Sequence, residues 1–278
     1  MNDKIETLGI GSIIQHGKLN DRIYLMKLNK DDFPSIIEKL NSLAKEKTYT
    51  KIFCKVPSWA APSFLADGFI TEAQIPDFYN NRVDVFFMSK FLSADRFLNP
   101  EHEHLDDLCQ QLISASPTRK SVDTPALFCF KELTVENAEE IADLYKKVFE
   151  SYPFPIFDPA YIRSSLVENV QYFGIELKGE LIALSSAEVD KKGQNVEMTD
   201  FATLPTFRGN KLSGILLKKM ELEMKKQGIT TLYTIARLNS TAMNKTFQNL
   251  NYKYAGTLIK NTNISGKIES MNVYYKHL

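Results

Sequence analysis

Cysteine is scarce in this chain, and charge of either sign is in balance. The 278 residues hold three cysteines, Cys54, Cys109 and Cys129, with no CxxC pair and an odd count. That speaks against a disulfide framework and for reduced thiols inside a cell. Lys plus Arg and Asp plus Glu both number 34, so no net charge advertises a polyanionic partner. Nucleic acid and anionic membrane are therefore poor expectations. No apolar run approaches the roughly 18 residues that a membrane span requires. The opening "MNDKIETLGIGS" has neither a basic region nor an apolar core, unlike a secretory signal. Two phosphate-binding fingerprints, GxxxxGK[ST] and GxGxxG, are also missing. What is there, 44% hydrophobic and 24% charged residues, is the composition of an ordinary globular protein. A soluble cytoplasmic chain is expected.

The chain divides near residues 114–125, "SASPTRKSVDTP", a polar, Pro-containing stretch poor in large apolar residues. Before it, "PEHEHLDDLCQQLI" has the pattern of a short helix. His102 and His104 lie two apart and share no helix face, so no metal site is expected. Each side of the division has the same order of motifs. In the second, "ILLKKMELEMKKQG" is a helix stopped by Gly228, followed by strand "TTLYTIA", helix "STAMNKTFQNL" and strands "YKYAGTLIK" and "IESMNVYYK". In the first, "FPSIIEKLNSLAKE", "TKIFCKV", "APSFLADG", "FITEAQIP" and "VDVFFMSKFL" take those places. The spacings agree. Ile36 to Ile52 and Leu216 to Leu232 each span sixteen positions, and Phe64–Phe69 and Phe247–Tyr252 each span five. A degenerate internal duplication is one explanation; the looseness of any α/β pattern is the other. Trp59 and Phe64 are expected in the first half's core.

The copies differ at one turn. In "DFATLPTFRGNKLSGILLKKM", an apolar strand breaks at Leu-Pro, turns through Arg-Gly-Asn-Lys and becomes a helix. Arg208 and Lys211 supply positive charge, Gly209 and Gly214 let backbone approach a ligand, and unpaired amides at the helix start point outward. This is what a pyrophosphate needs. The first half has "NKDDFP" instead, where Asp31 or Asp32 would cap the helix but repel a phosphate.

These residues carry a resemblance. "ATLPTFRGNKLSGILL" resembles the acetyl-coenzyme A loop of the GNAT acetyltransferase superfamily, whose pattern is Arg/Gln-x-x-Gly-x-Gly/Ala, and "NSTAMNKTFQNLNY" resembles its Asn-x-x-Ala…Phe/Tyr helix. Over nearly the whole chain, "QHGKLNDRIYLMKL", "YPFPIFDPAYI" and "AEVD…VEMTDFATLP" are similar to the β-lysine acetyltransferases, which act beside a lysine 2,3-aminomutase to make Nε-acetyl-β-lysine, an osmolyte. The resemblance implies an α/β (α+β) chain with the GNAT acyltransferase fold, a mixed central sheet flanked by helices. Residues 126–278 would be the catalytic domain and 1–113 a degenerate GNAT-like copy. Acetyl-CoA would be the co-substrate, a small amine the acceptor, and no metal is implied. Oligomeric state stays open, a homodimer being one arrangement. Two positions depart from the pattern. Lys211 stands where the superfamily has its first Gly, and Phe247 where it often has the Tyr that protonates the leaving thiolate. A phenyl ring cannot donate that proton, so either another group does or coenzyme A leaves as the thiolate.

Acetyl transfer to an amine requires removal of a proton from a group whose ordinary pKa is near 10.4, a donor for the developing oxyanion, and attacking geometry. Alternation along "VEMTDFAT" puts Glu197, Thr199 and Phe201 on one strand face and Met198, Asp200 and Ala202 on the other, unless a bulge intervenes. Glu197 matches the family's general-base glutamate and is the first choice as base. Asp200 is the second, as base or as partner of a substrate ammonium. The oxyanion donor is expected among the backbone N–H groups near Phe201 and Ala202. Thr203, Arg208, Gly209, Asn210, Lys211, Leu212, Ser213 and Gly214 would hold pantetheine and pyrophosphate, with Asn239 as a further pantetheine contact or simply a helix cap. "ESYPFPIFDPAYIR" reads as a Pro-stiffened lid offering Tyr152, Phe154 and Asp158 to the substrate, and Glu188 is a candidate ammonium partner one strand away. A lysine or polyamine acetyltransferase and a non-catalytic acyl-CoA sensor are the alternatives.

Overall fold

The computed structural model describes residues 3–98 and 128–278; the 114–125 division, the helix expected before it, His102, His104 and Cys109 lie outside them. The strands are β1 (Lys4–Leu8), β2 (Ser12–Gly17), β3 (Arg22–Lys27), β4 (Lys51–Pro57), β5 (Ile70–Tyr79), β6 (Val83–Phe91), β7 (Phe128–Leu133), β8 (Val170–Leu177), β9 (Glu180–Asp190), β10 (Asn195–Thr203), β11 (Thr231–Arg237), β12 (Lys253–Ile264) and β13 (Lys267–His277). The α-helices are α1 (Ile36–Lys47), α2 (Ala61–Ala66), α3 (Ala94–Phe97), α4 (Ala138–Val148), α5 (Pro159–Glu168), α6 (Leu212–Lys226) and α7 (Thr241–Asn249). No described helix is long and apolar enough to cross a membrane.

The strands join in one 13-stranded mixed sheet, in the order β1-β2-β3-β4-β6-β5-β12-β13-β11-β10-β9-β8-β7. Read outward from the centre, the two sides repeat. β4 pairs parallel with β3 and antiparallel with β6, as β11 pairs parallel with β10 and antiparallel with β13. A helix links each parallel pair, α1 in the first half and α6 in the second. α1 buries Ile36, Ile37, Leu40 and Ala44, a stripe at helical spacing, and α6 buries Ile215, Leu216, Met220 and Met224.

The five-residue spacings have a physical cause. Four helices that precede a strand, α1, α2, α6 and α7, end in a left-handed residue followed by a 6→1 backbone bond, the Schellman arrangement. Tyr49 donates to Ala44 past Thr48, Phe69 to Phe64 past Gly68, Ile229 to Met224 past Gly228, and Tyr252 to Phe247 past Asn251, at 2.9, 3.1, 3.1 and 3.1 Å. Phe64 and Phe69 meet edge to face at 5.1 Å, and Phe247 and Tyr252 at 5.2 Å. The apolar pair that seals each cap is what the sequence displays.

One apolar cluster lies under the first half's helices, with Phe64 at its heart, and another under those of the second half. A third draws Tyr24, Phe53 and Phe87 from the first half against Tyr233, Leu258, Met271 and Val273 from the second. The two half-sheets are therefore folded onto each other, inner face to inner face. Their hinge is β5 against β12 at Ala73–Gly256. Gly256 has φ 149°, and a Cβ there would sit 2.1 Å from the Glu72 carbonyl oxygen, so only glycine admits the contact. Buried Lys51 and Glu72, 2.9 Å apart, fasten the hinge by bonding the carbonyl and the amide of Ile259 at 2.7 and 2.6 Å.

Two expectations fail here. Trp59 is 44% exposed, on the turn between β4 and α2, with its ring edge-on to Phe33. Asp32 does not cap α1; it turns back and accepts from the amides of Ile10, Gly11 and Ser12. Those bonds hold its carboxyl well below the ordinary range against the cost of burial.

Candidate active site

The parallel pairing of β10 and β11 runs Asn195–Thr231, Val196–Leu232, Glu197–Tyr233 and then stops, although β10 continues to Thr203 and β11 to Arg237. Phe201, Ala202 and Thr203 lie beyond the last pair, in the arm of β10 that has left β11. A wedge between parallel strands presents backbone N–H and C=O groups that no ladder uses.

At the fork of the wedge three carboxylates share the inner face. Glu197 stands opposite Glu188 in the β9–β10 ladder, and Thr199 opposite Ser186. The register then slips between Thr199 and Ala202, and Asp200 takes φ 55°. This bulge turns Asp200 onto the face of Glu197, where strict alternation had placed it on the opposite one. Phe201 is moved the other way, against the second half's core, 5.7 Å edge-on from Phe247. Asp200 accepts from Ser186 Oγ at 2.6 Å, from Thr199 Oγ1 at 3.2 Å and from the Tyr152 hydroxyl. Burial raises all three carboxyls. Glu188 goes up to about 8, the nearby charges of Glu197 and Asp200 adding to its desolvation.

The counter-charge comes from the other half. Lys55 Nζ of β4 donates to the Tyr233 hydroxyl at 3.1 Å, and Tyr233 in turn hydrogen-bonds Glu197. Lys55 thereby pulls against the desolvation of Glu197 and Glu188, while its own pKa is lowered by burial. Tyr24, Met26 and Arg22 of β3 complete that wall. A cavity of about 80 Å³ lies between the halves, lined by these residues, the acids, and Tyr152 and Phe154. It shares Met26, Lys55, Phe154 and Glu188 with a broad outer cleft of about 1230 Å³. The Pro-rich segment between α4 and α5 closes over it, tied to the first half by Gln15 Nε2 donating to the Pro153 carbonyl at 3.0 Å.

At the far side of β10, a 3-10 turn Pro205–Phe207 leads to Arg208, Gly209, Asn210 and Lys211, all exposed. Gly209 has φ 87° with open space where a Cβ would be, and Gly214 faces only a Thr246 methyl at 3.9 Å. Lys211, at φ 58°, is the N-cap of α6 and makes no side-chain cap. The Leu212 and Ser213 amides follow at the start of α6, and the first turn bond is Gly214 N to Lys211 O at 3.1 Å. Two cations, an unobstructed glycine and a 15-residue helix start fit a diphosphate.

Not every expected residue reaches the site. Asp158 is exposed and caps α5, accepting from the Ala160 amide at 2.9 Å. Asn239, exposed on the turn after β11, keeps its reading as a pantetheine contact and loses the helix-cap alternative, α7 having Ser240 as its N-cap. Phe247 is 1% exposed and stacks on Tyr274 at 6.1 Å, as a core ring. Lys55, Tyr233, Arg22 and Tyr24 were missed. The signal was Lys51-Phe53-Lys55, charges at strand period on a strand otherwise buried. Asn244 was missed too. Fully buried, it donates to the carbonyls of Arg237, Leu238 and Ser240 and accepts from Asn272 and Tyr274, at 2.8–3.2 Å, locking α7 to β11 and β13.

A fork between parallel strands, an acid at its apex and an anion cradle on the following helix define an acyl-CoA-type transferase site. Residues 137–252 match the acetyltransferase (GNAT) family, and the chain belongs to the GNAT acetyltransferases. It is 42% identical over 267 residues, 95% of its own length and 96% of the other's, to the beta-lysine N(6)-acetyltransferase of Methanococcus maripaludis. It is 28% identical over 281 residues, the whole of both chains, to N-acetyltransferase YodP of Bacillus subtilis. Among solved structures, the ribosomal-protein-S18-alanine N-acetyltransferase of Escherichia coli aligns with a TM-score of 0.48 at 15% identity, over 54% of this chain and 93% of that one.

Proposed function

We propose that this protein transfers the acetyl group of acetyl-CoA to the ε-amine of β-lysine, forming Nε-acetyl-β-lysine for use as a compatible solute. The observation that carries it is the acid cluster Glu188, Glu197 and Asp200 in a cavity closed by a lid, beside the strand fork. The likeness to the Methanococcus maripaludis β-lysine enzyme over nearly the full chain supports the choice of amine.

Glu197 is the base. It lies at the last rung before the fork, its pKa raised by burial against the pull of Lys55 and Tyr233, which makes it a stronger base than an exposed carboxylate. Asp200, already holding three hydroxyl donors, is better suited to attract an ammonium than to abstract a proton. Glu188, its carboxyl raised to about 8, would give up its proton beside the substrate's other ammonium and pair with it. The acyl carrier would be held by Arg208, Gly209, Asn210, Lys211, Leu212, Ser213 and Gly214, and backbone N–H groups of Phe201 to Thr203 would meet the oxyanion.

The repeated strand order supports reading the first half, up to residue 113, as a degenerate copy of the catalytic unit 126–278. Its own turn before α1 carries Asp32 where the second half has the Arg-Gly loop, and that carboxylate is bonded to the amides of Ile10, Gly11 and Ser12 around the β1–β2 turn. The test is thiol release from acetyl-CoA with β-lysine, α-lysine and spermidine in parallel. β-Lysine should have the highest kcat/KM; a faster reaction with either of the others overturns the assignment.

A further inference from the structure

At the end of the inter-half cavity beside the Lys51–Glu72 pair lies a cation that no acid among the described residues neutralises. Arg22 is 4% exposed and forms no ion pair among the described residues. One terminal nitrogen donates to the Asn261 carbonyl and to Thr262 Oγ1 at 3.2 Å. Its Nε has no partner. The guanidinium is steadied by the rings of Tyr24 and Phe53, at 5.4 and 5.5 Å. Glu72 is committed to Lys51, Ser89 and the Ile259 amide. A buried charge without a counter-ion is costly to keep, and a guanidinium with a free edge suits a carboxylate better than any other small group. Asn261, 1% exposed, lines the same end and has an unpaired Oδ1.

We propose that Arg22, supplied by the first half, binds the carboxylate of the amine substrate and so makes the enzyme select an amino acid over a plain diamine. The cavity is then polarised to match a zwitterion. Arg22 stands beside Lys51 in the β3–β4 ladder, four residues along β4 from the Lys55 that serves Glu197 and Glu188, and Tyr24 and Met26 of β3 wall the methylene chain between. Lys55 is not the carboxylate's partner, since it already serves the acids through Tyr233. The first half thereby acquires a role in recognition that its lost phosphate turn would not suggest. The assignment rests on the small-amine acetyl transfer proposed above.

The test uses the full chain and needs no variant at its first step. Thiol release is measured with β-lysine, with its carboxamide, and with 1,4-diaminopentane, the same skeleton without the carboxylate. The intact protein should prefer β-lysine to both by at least about 100-fold in kcat/KM. In Arg22→Gln that ratio should collapse below about tenfold through a higher KM for β-lysine, and Arg22→Lys should restore part of it. Equal use of β-lysine and 1,4-diaminopentane by the intact protein overturns the proposal. So does an Arg22→Gln variant that loses activity on both in proportion, the mark of a structural role. If α-lysine outruns β-lysine, the substrate assignment falls separately, and the ratio of α-lysine to α-lysinamide decides the role of Arg22.

Discussion

Glu197 and Glu188 face each other directly across the β9–β10 ladder, half-buried and, among the described residues, without an ion-pair partner for either. Two carboxylates so placed resist ionising together, and the pair retains a proton near neutral pH. A site of this kind holds a base in reserve and an anionic surface for ammonium groups at once. Removing the carboxylate of Glu197 while keeping its shape should separate the two. Glu197→Gln is expected to lower kcat by about 10²- to 10⁴-fold, with little change in KM for acetyl-CoA. Steady-state kinetics from pH 6 to 10 check it, and unchanged turnover would remove Glu197 from the mechanism.

Glu188 makes a prediction about stability. Its folded pKa of about 8 exceeds the ordinary 4.5, so between those values the folded state binds the proton more tightly than the unfolded state. Stability is therefore lost as pH rises through this window. Glu188→Gln should be more stable than the parent at pH 8.5, by an amount on the order of 2 kcal/mol after allowance for partial exposure. The gain should shrink toward pH 5. Melting temperatures at the two pH values decide; equal shifts at both would contradict the raised pKa.

How much of this was legible in the sequence depends on how local the cause is. The Schellman caps are local, so the pairs Phe64–Phe69 and Phe247–Tyr252 announced them. The Arg208–Gly209 turn is also local. The direction of Asp200 is set by a one-residue bulge, which alternation alone cannot locate. Lys55 meets Tyr233, and Arg22 meets Asn261, because two half-sheets close on each other about Gly256; the strand-period Lys51 and Lys55 marked one buried face but not the half it meets. Asp158 was drawn toward the site by residue type, and short-range geometry put it on a helix cap.

Lys211 stands in the left-handed region at the start of α6, where a glycine would be at ease. Lys211→Gly relieves strain on the order of 1 kcal/mol but removes a charge from the anion cradle. The expected outcome is a melting temperature equal to or above the parent's with a KM for acetyl-CoA raised about three- to tenfold. Should that KM stay the same, the lysine does not touch the diphosphate.

Asn244 joins three carbonyls to Asn272 and Tyr274 with no solvent to substitute for a lost bond. Asn244→Ala should cost about 2–4 kcal/mol in denaturant unfolding. Asn244→Asp should be no better, because its carboxylate oxygens cannot donate to the three carbonyls. A loss below about 1 kcal/mol would mean that α7 is anchored by its apolar face alone.

Asp200 offers the sharpest separation of charge from shape. Its φ of 55° lies where aspartate and asparagine are both tolerated and most residues are strained. Asp200→Asn therefore keeps the bulge, and the amide oxygen can still accept from Ser186 or Tyr152. What is lost is the negative charge facing the cavity. If that charge attracts the substrate ammonium, KM for the amine should rise about tenfold or more while kcat falls less. Asp200→Ala adds backbone strain to the lost charge, so its melting temperature should drop below that of Asp200→Asn. A kcat loss in Asp200→Asn as large as that of Glu197→Gln, at an unchanged KM, would instead make Asp200 the group that receives the proton.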